Sequence, residues 1–104
     1  MESYRQYYVQ YAAQTMKEGR FMDFQELFRS SPRDLPDEKV SLFYLQSFSI
    51  IYFLLSEYDN RNFRQMCGFL KDGYPFEDAL QKAYVVFRKP GSFEKAWKEY
   101  WLQR

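Results

Sequence analysis

Three groups of carboxylates stand close together in this chain: Asp34, Asp37 and Glu38; Glu57 and Asp59; Glu77 and Asp78. Paired carboxylates perform acid/base chemistry when their surroundings drive their pKa values apart. Here each group coincides with a predicted helix end, where acidic side chains already have a structural role. No Asp/Glu spacing matches a calcium loop. Histidine is absent. That removes histidine acid/base catalysis, Ser-His and Cys-His nucleophile pairs, and nearly all zinc and haem sites. Cys67 is the only cysteine, so no intramolecular disulfide or CxxC site can form. Its helical spacing with Phe63, Met66 and Leu70 predicts a small buried hydrophobe rather than a reactive thiol. Gly19, Gly68, Gly73 and Gly91 are isolated, and no phosphate-binding loop occurs. The expectation is a chain that is not by itself an enzyme, with no catalytic residue, metal or cofactor.

Charge points the same way. The 104 residues carry 15 basic and 14 acidic side chains, a net charge of +1. Such a balance leaves no basic footprint for nucleic acid or an anionic membrane. Aromatic residues make up 22% of the chain. That excess predicts a core and a half-buried surface built from large rings. A base-stacking face would want Arg and Lys concentrated beside the rings, and here the charges are mixed. No signal-peptide pattern opens the sequence.

The elements that must position these residues are helices. Residues 40–55, VSLFYLQSFSIIYFLL, are apolar or aromatic except for Ser41, Gln46, Ser47 and Ser49. A helix apolar on nearly every side must be wrapped by others. The stretch falls short of the ~20 apolar residues of a bilayer span and carries Gln46, so no membrane span is expected. It predicts a central helix over about 38–58, capped by Asp37. Before it, residues 2–17 place Tyr4, Tyr7, Tyr8, Tyr11 and Ala12 on one face, and Gly19 suits the C′ position. Asp23 can cap a short second helix, and Pro32 and Pro36 break the pattern. A fourth helix spans about 61–72, after the Asp59-Asn60 cap pair and before Gly73. A fifth starts at Pro75. A sixth, capped by Ser92, places Phe93, Ala96, Trp97, Tyr100 and Trp101 on one face. Val85-Val86-Phe87 is too short to found a sheet. The fold class is all-α: a compact bundle of five or six helices forming a single domain over 1–104.

Three features remain as candidates for function. Gln46, Ser49 and Ser56 run along one line of the central helix, with Phe53 between them. The strip marks a place where neighbouring helices come close or where the helix meets water, or else a surface facing a partner domain or segment. Tyr4, Tyr8, Tyr11, Trp97 and Trp101 form a possible exposed aromatic surface, although such a stripe commonly packs on a core while its hydroxyls reach water. Gly68, inside a helix, predicts close approach of another helix, most simply at Ser49 or Gln46.

The run from Phe43 through Tyr44-Leu45-Gln46-Ser47 to Ser56-Glu57-Tyr58 resembles a helix of gluzincin-type, peptidase MA-like metallopeptidases. In that family a Tyr-x-Gln-Ser helix with an aromatic-aliphatic continuation ends in Glu-Tyr-Gly. Lys71-Asp72-Gly73-Tyr74-Pro75-Phe76-Glu77-Asp78-Ala79-Leu80 resembles the family's following turn, and Phe93 to Tyr100 its terminal helix. The resemblance covers about residues 40–101, in motifs made of packing residues. Asp59 stands where the family has Gly, which Asp tolerates in a left-handed turn. The HExxH zinc helix is missing, so the family's third zinc ligand is not carried onto Glu2. The resemblance implies the non-catalytic C-terminal helical subdomain of a larger metallopeptidase, supporting an upstream catalytic domain as its partner. Two other readings stand beside it. One is a stand-alone protein-protein interaction module; Gly73 to Tyr84 is loosely similar to a tetratricopeptide helix pair, with no second copy. The other is an enzyme using Tyr, Arg and carboxylates.

Overall fold

A computed structural model describes residues 2–89 and 91–103, with side chains described from Gln6 onward. Within these residues, six α-helices are joined by short turns: α1 (Glu2–Lys17), α2 (Phe24–Arg29), α3 (Asp37–Glu57), α4 (Asn60–Lys71), α5 (Phe76–Ala83) and α6 (Ser92–Leu102). Two single-turn 3-10 segments, Pro32–Asp34 and Val85–Phe87, lie in the connections. Among the described residues there is no strand. The all-α bundle expected from the helical spacing is the fold observed.

Local chemistry accounts for several helix ends. Asp23 caps α2 by accepting from the Gln25 backbone N–H at 2.8 Å. Asp59 does the same for α4 through Arg61 at 2.9 Å. Each satisfies a backbone donor that has no partner inside the helix. Gly19 adopts φ +73° at the end of α1, which lets Arg20 N–H bond back to Thr15 C=O at 3.0 Å. Gly73 closes α4 in the same left-handed conformation. Two caps differ from the pattern read in the sequence. Asp37 is the first residue of α3, and the cap position belongs to Pro36, without a side-chain bond. Gly91, at φ +80°, takes the cap position of α6. Ser92 instead donates its hydroxyl to Lys89 C=O at 2.7 Å.

The core is one cluster around the inner face of α3. Ile50, Phe53 and Leu54 belong to one buried cluster with Val9, Ala12 and Met16 of α1, Met66 of α4, Ala79, Leu80 and Ala83 of α5, and Phe93, Trp97 and Trp101 of α6. Aromatic rings fill much of it. Phe24 lies 4.7 Å from Trp97, and Phe53 lies 5.0 Å from Tyr100, both at tilted geometry. Such pairs add to the stabilisation from burial itself.

Two core expectations are corrected. Cys67 is exposed. The inner face of α4 runs through Asn62, Phe63, Met66 and Phe69, and Cys67 lies past its edge. Gly68 has open space where a Cβ would sit, with no atom within 4 Å, so no helix approaches it closely. An exposed helical glycine costs about 1 kcal/mol against alanine. Gly68→Ala should therefore stabilise the fold by about 1 kcal/mol and raise Tm by roughly 4–8 °C in a thermal melt.

Tyr84, which follows α5, is 2% exposed, and its hydroxyl has no hydrogen-bond partner among the described residues. Its rings of contact are Tyr58, at 5.7 Å, and Phe87. Burial, with smaller contributions from Cys67 and Tyr58, pushes its pKa up to about 12. Tyr58 is also raised, by burial first and then by Glu57. A buried unpaired hydroxyl carries a desolvation cost of about 1–3 kcal/mol, so Tyr84→Phe should leave the fold as stable or more stable in urea titration. The sign of the pH effect follows from the neutral form being favoured in the folded state. This contribution to stability is complete below the ordinary tyrosine pKa of 10.0. It is lost as pH rises through about 12. Tyr84→Phe should flatten that alkaline loss.

Candidate interaction surface

The polar residues of α3 divide sharply between inside and outside. Gln46 is 3% exposed and Ser49 1%. The Gln46 amide pairs with the backbone of Met22 twice: its Nε2 donates to Met22 C=O at 2.8 Å, and its Oε1 accepts from Met22 N–H at 2.7 Å. One side chain thus satisfies both backbone groups of the segment that links α1 to α2. Ser49 Oγ donates to Gln46 C=O at 2.6 Å and accepts from Trp97 Nε1 at 3.0 Å. Trp101 Nε1 donates to Ser49 C=O at 3.2 Å. The two indoles of α6, spaced one helical turn apart, are therefore held by one residue of α3. The Gln46–Ser49 part of the strip faces the interior, and its bonds are made within the chain. Ser56 lies outside, exposed near the end of α3.

The aromatic candidates divide as well. Trp97 and Trp101 are fully buried, which corrects their placement on an exposed surface. The reason is that the apolar face of α6 closes over α3, and each indole N–H finds an acceptor there. Tyr8 and Tyr11 are exposed, at 48% and 50%, and Tyr7 beside them is 60% exposed. The Tyr4 side chain lies outside the described residues. The face of α1 turned to the core is Val9, Ala12, Thr15 and Met16, not the tyrosine stripe. Bulky apolar Val9 and Met16 flank small Ala12, so this narrow face packs closely and the tyrosines are left on the flank.

Sequence spacing did not single out the α3 side of this surface. Tyr44 is 59% exposed, and Ile51 and Leu55 nearly half exposed. Tyr7, Tyr8, Tyr11, Ser41, Tyr44, Leu45 and Phe48 line one groove of about 580 Å³ between α1 and α3. Tyr7 and Tyr11 stack at 6.3 Å, Tyr8 contacts Phe48 at 5.9 Å, and Phe48 continues to Tyr52 at 5.8 Å. The signal that could have found the groove is an absence of charge. Residues 6–16 and 40–56 contain no Asp, Glu, Lys or Arg, although 28% of the chain is charged. Two helical stretches without ionised side chains, only partly buried, must show neutral surface to their surroundings.

The carboxylate groups are dispersed. Asp34, Asp37, Glu38, Glu57, Asp59, Glu77 and Asp78 are all exposed. Among the described residues no group of three or more metal-ligating side chains comes together. By length and composition α3 is one helix long and apolar enough to cross a membrane. No protein-family model matches the chain, and no curated protein or solved structure matches it either.

Removing the serine hydroxyl tests the buried node. Ser49→Ala leaves the Trp97 indole N–H buried without its acceptor and should cost about 1–3 kcal/mol. Gln46→Leu strips both backbone partners from Met22 and should cost more, about 2 kcal/mol or above. Equilibrium urea unfolding followed by tryptophan fluorescence checks both.

Proposed function

We propose that this chain is a non-catalytic helical module that works by docking the tyrosine-lined face of α1 and α3 onto another protein. The observation that carries the reading is the contrast along α3. Its polar residues Gln46 and Ser49 are consumed inside the fold, while Tyr44 stands exposed in a groove with three tyrosines of α1, and Ile51 and Leu55 are exposed further along α3. Protein interfaces are enriched in Tyr and depleted of Lys, Glu and Asp at their centres, and this face has that composition. We read α3 as the core helix of the bundle and not as a membrane span, because its buried glutamine and serine are bonded to Met22 and Trp97.

A second reading draws on the resemblance of residues 40–101 to the C-terminal helices of peptidase MA-like metallopeptidases. There the partner is a catalytic part carrying HExxH, and the module supports it. The exposed aromatic face favours this reading too, since a supporting subdomain needs an uncharged surface of this kind.

A photo-crosslinking residue at Tyr44, compared in cells with one at exposed Gln65 on α4, tests the docking reading. Protein adducts are expected at position 44 and not at 65. Equal yields at both positions, or none at 44, would sink it. Zinc-dependent cleavage of casein by the purified chain would overturn the non-catalytic assignment.

A further inference from the structure

We infer that the protein docked on this face is a second copy of the same chain, related by a two-fold axis across α3. The inference rests on the docking reading above and names its partner. The first argument is shape. The groove lies along the first half of α3, at Ser41, Tyr44, Leu45 and Phe48. The exposed aliphatic side chains lie along the second half, at Ile51 and Leu55. Positions 44, 48, 51 and 55 alternate four- and three-residue steps, the stripe that packs one helix against another. A two-fold axis crossing α3 between residues 49 and 50 pairs position 44 of one copy with 55 of the other, and 48 with 51. Each copy then sets its Ile51 and Leu55 into the aromatic groove of its neighbour. A two-fold interface requires such self-complementarity, in which each contact occurs twice.

The second argument is area. Tyr7, Tyr8, Tyr11, Tyr44, Ile51 and Leu55 expose 43–60% of their surface. At ring areas of 150–250 Å² this amounts to about 600 Å² per copy, or about 1,200 Å² for a pair, where stable interfaces begin.

The third argument is charge. Among the described residues the groove is lined by no ionised side chain, which offers nothing there for a charged partner to select. Its described lining also lacks the Lys and Arg that draw amphipathic helices onto anionic lipid. Its own copy, equally uncharged, meets no such mismatch.

Sedimentation velocity across a dilution series tests the pairing. The intact chain should sediment as a dimer of the 12.8 kDa protomer and dissociate on dilution. Tyr44→Lys and Leu55→Glu each place charge in the interface and should weaken it at least about tenfold. Mixed in equal amounts, the two variants should recover the dimer, because the introduced ammonium then faces the introduced carboxylate across one of the paired contacts. Circular dichroism verifies that each variant keeps its helices. If either fails to fold, copies bearing Tyr44→Cys and Leu55→Cys, in a Cys67→Ser background, should form a disulfide-linked dimer when mixed and oxidised. A monomer at every concentration overturns the inference, as does a dimer indifferent to both charge variants, or an absent disulfide product. Co-flotation of a monomer with phosphatidylcholine vesicles overturns it in favour of a lipid surface. Position 44 adducts to a different protein, from a chain that sediments as a monomer, refute the second copy and leave the docking reading standing.

Discussion

The bundle depends on two adjacent turns of α3, where Gln46 and Ser49 carry polar groups into an apolar interior. A buried amide or hydroxyl is tolerated only when its hydrogen bonds are made, and the requirement grows as water is excluded. Here the requirement fixes three other parts of the chain. Met22 must come to Gln46, which places the link between α1 and α2. Trp97 and Trp101 must bring their indole N–H groups to Ser49, which sets the rotation of α6. Hydrophobic burial supplies the larger driving force but is non-directional. The polar node adds the direction.

That orientation decides which surface is left over. Once Trp97 and Trp101 are turned inward and the link is bound to Gln46, α1 meets the core through Val9, Ala12, Thr15 and Met16. Its tyrosines fall beside the exposed half of α3. Charge lies at the ends of these helices, in the connections and on α2, α4, α5 and α6. Ion pairs such as Glu26–Lys39, at 3.0 Å, are exposed and contribute little to stability. Among the described residues, the groove between α1 and α3 is lined by neutral, mostly aromatic side chains. A patch of about 600 Å² sits at the upper end of what a monomer commonly exposes.

Much of the architecture was legible from local chemistry. The Asp23 and Asp59 caps, the Gly19 and Gly73 ends, and the central helix of residues 37–57 follow from rules that act over a few neighbouring residues. Misreadings arose where the phase of a helix mattered. Tyr4, Tyr7, Tyr8 and Tyr11 share one stripe, and Val9, Ala12 and Met16 share another. A helix can bury either, and spacing does not choose between them. Cys67 fell at the edge of an apolar stripe for the same reason. Gly68 offered space that no neighbour takes up, because the facing helix is not specified by residues near it in sequence. Ser92 yielded the cap position to Gly91, whose left-handed backbone ends the preceding turn.

The sequence by itself determined that this is an all-α chain built on one apolar helix, and it contains no histidine-based chemistry. Those properties depend on residue types and on periodicity, which are local. Tertiary structure alone decided that Gln46 and Ser49 point inward and that the tryptophans are buried. It also decided that the uncharged runs 6–16 and 40–56 share one groove. These outcomes depend on contacts across 24 residues, between Gln46 and Met22, and across 48 and 52, between Ser49 and the two tryptophans. No short-range pattern encodes which polar atom will meet which. That pairing is chosen only when the helices close around α3 and every buried donor and acceptor must find its partner together.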